Sequence, residues 1–214
     1  MRESFDGRFI VFEGLDGSGK SSVILGVKEI LLKKGQEVVL VADPPTIEPW
    51  ISLKEYFEQG EKIDKVAEAF MLLASRIDNT SRIIKKSLIR GSIVLADRYY
   101  PSWLVYQQVR LSDVIGFSEA TMFLDQLQSI VEDYNLVLKP DKIIFLQGDP
   151  KAFAQRLKER NGYKSSKYDD IDFQHRVAEA YEQILANESC EVFFVDVMNL
   201  SLSEVITRVM NYIH

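Results

Sequence analysis

The chain has 214 residues, is 46% hydrophobic and carries a formal charge of −6. That suits one α/β domain over 1–214 and argues against nucleic acid as a partner, which needs a net basic face. No apolar run is long enough to span a membrane, Met1–Asp6 lacks the apolar stretch of a secretory signal, and the single Cys190 rules out an internal disulfide, so no membrane partner and cytoplasmic residence are expected.

Taken in order, Phe9–Glu13 reads as a buried strand, and a helix follows from Lys20 to Lys34, closed by Gly35. Glu37–Ala42 is a second strand, which Pro44 and Pro45 prevent from continuing. A short helix near Pro49–Gln59 precedes a long helical stretch from about Asp64 to Ile89. Ile93–Ala96 is a third strand ending at Asp97, followed by helical patches near Ser102–Val109 and Ser118–Tyr134. Lys142–Leu146 is a fourth strand, and Asp149-Pro150 opens a helix running to about Arg160. Asn161–Asp169 is polar and reads as a mobile segment. A helix over Asp172–Asn187, a fifth strand over Glu191–Asp196 and a helix over Ser201–Tyr212 complete the chain. Ser201 and Glu204 have the spacing of a capping box. Strands alternating with helices imply a five-stranded parallel sheet flanked by helices on both faces.

Between the first strand and first helix lies Gly14-Leu15-Asp16-Gly17-Ser18-Gly19-Lys20-Ser21, a full match to the phosphate-binding pattern G-x-x-x-x-G-K-[ST]. Its glycines let backbone N–H groups turn inward, and the helix N-terminus adds partial positive charge. Lys20 can reach β- and γ-phosphates, and the Ser21 hydroxyl can ligate Mg²⁺. Gly14 to Ser22 is therefore the expected ATP site, with Mg²⁺ as cofactor.

Asp97-Arg98-Tyr99 stands at a strand's carboxyl end, where open α/β sheets bind ligands. Asp97 there suits Mg²⁺ or its waters, and Arg98 suits a phosphate; a solvated ion pair is the plainer alternative. Asp16 opposes phosphate, so it fits a sugar-hydroxyl acceptor or the ordinary turn role of Asp-Gly. Arg76 sits on a helical stretch with Leu72 four residues before it, placed to cover a base or to lie on the surface. Arg156, Arg160, Lys164 and Lys167 bracket the polar segment as lid cations or as a solvated loop. Asp113-Val114-Ile115-Gly116 spells the D-x-x-G of switch GTPases but follows no strand, and no N-K-x-D occurs. His175 and His214 lack a partner pattern.

With these residues in order, the chain resembles the thymidylate kinases. The resemblance is carried by Phe12–Ser22, Leu72–Arg76, Asp97-Arg98-Tyr99, Ser102 with Tyr106-Gln107, Pro140-Asp141, and Asp172–Val177 with Tyr181. It implies a P-loop kinase fold with a short lid at about 156–170, and transfer of a phosphoryl group from MgATP to dTMP, giving dTDP. Lys20, Asp97, Arg98 and the lid's Arg160 would be catalytic, with Ser21 and Asp97 on the metal. Asp16, Pro44, Leu72, Arg76, Arg98, Trp103, Tyr106 and Gln107 would hold the acceptor. Within that set Asp16 would take the sugar 3′-hydroxyl, Arg98 the phosphate and Arg76 the base, and Tyr106 would favour deoxyribose. A homodimer through helical faces is also implied. Where some relatives carry a P-loop arginine this chain has Gly17, which passes the role to Arg160, Lys164 or Lys167. Three further departures fall around the base: Leu72 replaces an aromatic, Ala42-Asp43-Pro44 replaces Arg-Glu-Pro, and Trp103 replaces a small or amide side chain. A kinase for another nucleotide or deoxynucleoside, or a non-catalytic P-loop protein, is the alternative reading.

Overall fold

A strand that is apolar throughout needs neighbours on both edges and cover on both faces. Strand β1 (Arg8–Glu13) has both, and Phe9, Ile10, Val11 and Phe12 are each at most 1% exposed. The computed structural model describes residues 5–58, 63–161 and 171–213. Its sheet contains β1, β2 (Val38–Ala42), β3 (Ile93–Asp97), β4 (Lys142–Gln147) and β5 (Glu191–Asp196). The order is β2-β3-β1-β4-β5 with every pair parallel, as expected. The inner strands β1, β3 and β4 are almost wholly buried, while the edge strands β2 and β5 are largely half-exposed.

Helix α1 (Lys20–Lys33) packs on β1, β2 and β3 and against α9 (Leu202–Ile213), which also packs on β5. The expected capping box opens α9: the Ser201 amide donates to Glu204 Oε2 at 2.7 Å, and the Glu204 amide donates to Ser201 Oγ at 3.3 Å. Helix α2 spans Trp50–Glu58. The long helical stretch is present, but it comprises α3 (Lys65–Asn79), one π-helical turn (Thr80–Ile84) and α4 (Lys85–Ile89). Asp64 caps α3 by accepting from the amides of Val66 and Ala67.

Helix α5 (Tyr100–Ile115) is longer at both ends than the patch expected at 102–109. Pro101 suits its first turn, and Gly116, at φ 90°, ends it and leads into α6 (Phe117–Asp133). Helices α7 (Pro150–Asn161) and α8 (Ile171–Ala186) complete the set. Besides the main core around the sheet, a second one joins α3, α5 and α6 through Ala69, Leu73, Trp103, Leu111, Ala120 and Leu124.

The register decides where chemistry gathers. Phe12 of β1 and Ala42 of β2 both lie level with Asp97 of β3. The residues at or just past each strand's end, Glu13-Gly14, Asp43 and Arg98, therefore meet along the carboxyl edge of the sheet. Chain order reverses about β1 at this edge, which opens the crevice typical of such sheets.

Candidate active site

The loop from β1 to α1 is shaped by two close approaches. A Cβ on Gly14 (φ 138°) would lie 2.7 Å from the Leu146 carbonyl oxygen, and one on Gly17 (φ 84°) would lie 2.4 Å from that of Phe153. Both positions thus combine a left-handed conformation with backbone contact that excludes any side chain. Any side chain at position 17 would meet the first turn of α7.

Beyond the loop, α1 has no acidic side chain in its first turn, so its N-terminus keeps its attraction for anions. The buried Lys20 ammonium donates to the carbonyls of Gly14 and Leu15, each at 2.9 Å. Burial, and secondly the charge of Arg98, lower its pKa to about 7. The Ser21 hydroxyl donates to Asp97 Oδ2 at 2.8 Å. A hydroxyl and one carboxylate suit Mg²⁺, which takes few protein ligands and completes its shell with waters and phosphates. Among the described residues no cluster of three or more His, Cys, Asp or Glu offers an all-protein cage.

A cavity of about 400 Å³ joins these groups. Asp16, Gly17, Gly19, Lys20, Ser21 and Ser22 form one wall; Ala42, Asp43, Pro44 and Thr46 form another. Asp97 and Arg98 close the sheet side, and Arg156 and Leu157 approach from α7. Gly14, Leu15 and Ser18 stand behind this lining, where Leu15 and Ser18 are buried.

Arg98 occupies the left-handed region at φ 72°, a strained setting for a residue with a Cβ. Its amide donates to the Phe12 carbonyl at 3.0 Å, which pins it to β1. Its Nη1 donates to Ser102 Oγ (2.9 Å) and the Tyr181 hydroxyl (3.0 Å). Its Nη2 donates to Asp16 Oδ1 (2.6 Å) and the Tyr106 hydroxyl (3.3 Å), and the guanidinium lies 5.1 Å from the Tyr106 ring centre. Burial alone would lower its pKa; Tyr106, Asp16, Tyr181 and Glu13 together hold it well above the ordinary value.

The residues expected around the base lie deeper. Arg76 is 1% exposed, so the surface alternative is excluded. Its Nε donates to Asp43 Oδ2 at 2.5 Å, and its guanidinium lies 5.1 Å from the Trp103 ring centre and 5.5 Å from that of Tyr99. Its Nη1 and Nη2 are buried without a hydrogen-bond partner. Trp103 is 4% exposed and donates its indole N–H to the Ala69 carbonyl at 3.1 Å. Leu72 packs on the second core, and Gln107 is buried. Of the expected acceptor set, Asp16, Pro44 and Arg98 line the cavity, while Leu72, Arg76, Trp103, Tyr106 and Gln107 stand outside the lining. Asp43 connects the two groups, since it lines the cavity and pairs with Arg76. The Arg160 side chain, Lys164 and Lys167 lie outside the described residues; Arg156 lines the cavity and rests 5.5 Å from the Phe153 ring centre.

Two groups at the site were not singled out from sequence. Glu13 reads only as the polar end of a strand, yet it is wholly buried behind Arg98. Asp43 reads only as the middle residue of Ala42-Asp43-Pro44, yet it is the partner of a buried arginine. A carboxylate closing an otherwise apolar strand was the available signal for Glu13.

A family model described as thymidylate kinase matches residues 12–209. A thymidylate kinase of Caldicellulosiruptor saccharolyticus is 33% identical over 179 residues, covering 83% of this chain and 82% of the relative. One from Legionella pneumophila (strain Paris) is 30% identical over 216 residues, covering 98% of this chain and 95% of the relative. The crystal structure of thymidylate kinase from Ehrlichia chaffeensis matches with a TM-score of 0.72 at 23% identity, over 97% of this chain and 98% of that one.

Proposed function

The chain belongs to the thymidylate kinase family, whose ATP-dependent reaction phosphorylates dTMP to dTDP, and we propose how this cavity divides that work. The donor's phosphates lie on the amides of residues 14–22, and Lys20 exchanges the loop carbonyls for their oxygens. Ser21 and Asp97 hold Mg²⁺, which supplies charge neutralisation on the phosphoryl group in transit. Arg98 grips the acceptor phosphate through Nη2, releasing Asp16 to accept from the sugar 3′-hydroxyl. Tyr106 sits beneath the sugar, where a 2′-hydroxyl would point. Arg76 and Trp103, with Leu72 and Gln107, form the base side behind Asp43 and Pro44, and Arg160 is the lid cation.

The acceptor oxygen is already anionic, so no strong base is required. Positioning and electrostatic stabilisation account for catalysis. The observation that most supports this division is that Lys20 and Arg98 line one cavity together with Ser21 and Asp97.

A homodimer in the cytoplasm is part of the same reading. Phe70 and Met71 of α3 and Phe117 and Met122 of α6 are exposed, and Phe70 meets Phe123 edge-on at 5.6 Å, so α3 and α6 carry apolar surface that a second copy would cover. Light scattering should give twice the chain mass. The main test is an ADP-release assay with MgATP and a panel of dTMP, dUMP, dCMP, dGMP, dAMP and thymidine. Highest kcat/KM on dTMP is expected. Preference for another acceptor would support a second reading, favoured by Trp103 and Asp43 crowding the base side. ATP binding with no turnover on any acceptor would refute the whole division.

A further inference from the structure

Glu13 contributes to no wall of the cavity, yet each of its carboxylate oxygens accepts two hydrogen bonds. Its Oε1 accepts from the amides of Tyr99 (2.9 Å) and Ser102 (3.3 Å). Its Oε2 accepts from the Tyr181 hydroxyl (2.9 Å) and from Ser102 Oγ. The two amides belong to the start of α5, where Tyr99 makes no side-chain cap of its own. A carboxylate on β1 thus caps a helix whose N-cap residue, Tyr99, lies 86 positions later.

The same two hydroxyls that reach Glu13 also accept from Arg98 Nη1, and they lie 2.6 Å apart. Guanidinium N–H groups can only donate, and a carboxylate oxygen ringed by donors accepts. The hydroxyl hydrogens of Ser102 and Tyr181 therefore point toward Glu13, directly or one through the other. Their lone pairs are left facing Arg98. Burial pushes the Glu13 carboxyl above its ordinary range, opposed by Arg98, Ser102, Tyr181 and the Tyr99 amide.

We propose that Glu13, acting through Ser102 and Tyr181, is a positioning residue that fixes the Nη1 edge of Arg98 and so leaves Nη2 as the edge that works on the acceptor phosphate. The inference rests on the reading of Arg98 as the acceptor clamp. It also accounts for the left-handed Arg98 backbone: the side chain is held at both ends, so the strained conformation is over-determined. A glutamine at position 13 keeps the shape but turns one acceptor into a donor. One hydroxyl must then reverse and point its hydrogen at Arg98, which loosens the guanidinium.

The test uses the full chain and compares Glu13→Gln, Tyr181→Phe and Arg98→Ala, with dTMP and ATP varied separately. Outer residues that orient a binding group typically contribute about tenfold or more. In Glu13→Gln and Tyr181→Phe, kcat/KM for dTMP should fall by at least about tenfold while KM for ATP stays within about twofold. Glu13→Gln should add little further loss once Arg98 is alanine. Normal use of dTMP in both variants, with a loss in Arg98→Ala, would overturn the positioning role and leave the clamp standing. Equal losses for dTMP and ATP would assign Glu13 to the fold alone. Normal dTMP use in Arg98→Ala would instead remove the clamp, and the inference with it. If Glu13→Gln does not fold, Tyr181→Phe, which deletes one oxygen and keeps the ring, decides the matter.

Discussion

Two arginines serve the same cavity, Arg98 in its lining and Arg76 behind Asp43, and they are held in opposite ways. Arg98 is saturated: both its Nη atoms donate to named oxygens, on Ser102 and Tyr181 at one edge and on Asp16 and Tyr106 at the other. Arg76 is held by one ion pair at Nε and by the ring faces of Trp103 and Tyr99, with two nitrogens unsatisfied. The lesson concerns readiness. A saturated guanidinium already points where a phosphate must sit, and a ligand replaces only the Asp16 contact. A half-satisfied one is buried at a cost, since each orphaned polar group in a protein interior is worth about 1–3 kcal/mol. Its donors suit a carbonyl acceptor brought by a ligand, such as one on a base.

The comparison can be broken most sharply at the shared neighbour of both substrates. Lys20→Ala should lower kcat by about 10³-fold, the upper range for losing one preorganised charge donor, with the circular dichroism spectrum unchanged. Near-normal turnover would mean that the cavity is not the catalytic site. Arg98→Ala should lower kcat/KM for dTMP by about 10²–10³-fold with little change in ATP binding, and Arg98→Lys should not restore it, because a point charge cannot occupy two edges. Arg76→Ala should act on stability as well as on the acceptor. It leaves Asp43, which is 7% exposed at its side chain, without its partner, and breaking a buried pair costs about 3–5 kcal/mol, to be read in urea unfolding. If Arg76→Ala unfolds like the parent chain, the Arg76–Asp43 ion pair contributes little to the fold.

A smaller effect sharpens the donor side. Lys20 titrates near 7, lowered by burial, and phosphate binding requires its charged form. Below pH 7 the ammonium is already protonated, so ATP binding takes up no proton at this group. Above pH 7 the free group is increasingly neutral and binding must draw a proton in, so affinity should fall by up to about tenfold per pH unit until the pH passes the higher pKa that Lys20 has beside bound phosphate. Calorimetry in two buffers of different ionisation enthalpy should show uptake approaching one proton at pH 8. The smallest effect is expected for Trp103→Phe, which loses the indole bond to the Ala69 carbonyl and about 1 kcal/mol of stability. A larger loss would show that the ring's contact with Arg76 matters more than its hydrogen bond.

The amino-acid sequence by itself determined the parallel sheet, the phosphate-binding loop, and the position of Asp97 at a strand's end. Those features depend on contiguous residues or on the near-universal position of ligands at the carboxyl ends of parallel strands. Periodicity reached the helices less evenly, since the π-helical turn within the long stretch and the first turn of α5 depend on partners elsewhere. The tertiary structure alone decided which charges are buried together. Glu13 and Tyr181 stand 168 positions apart, and Arg76 and Asp43 33 apart, so no local pattern announces either contact. It also decided that position 17 excludes a side chain, because the obstacle is the carbonyl of Phe153 on α7. Burial turns a neutral-looking strand end or turn residue into a charge that must be answered, and only the packed chain shows which group answers it.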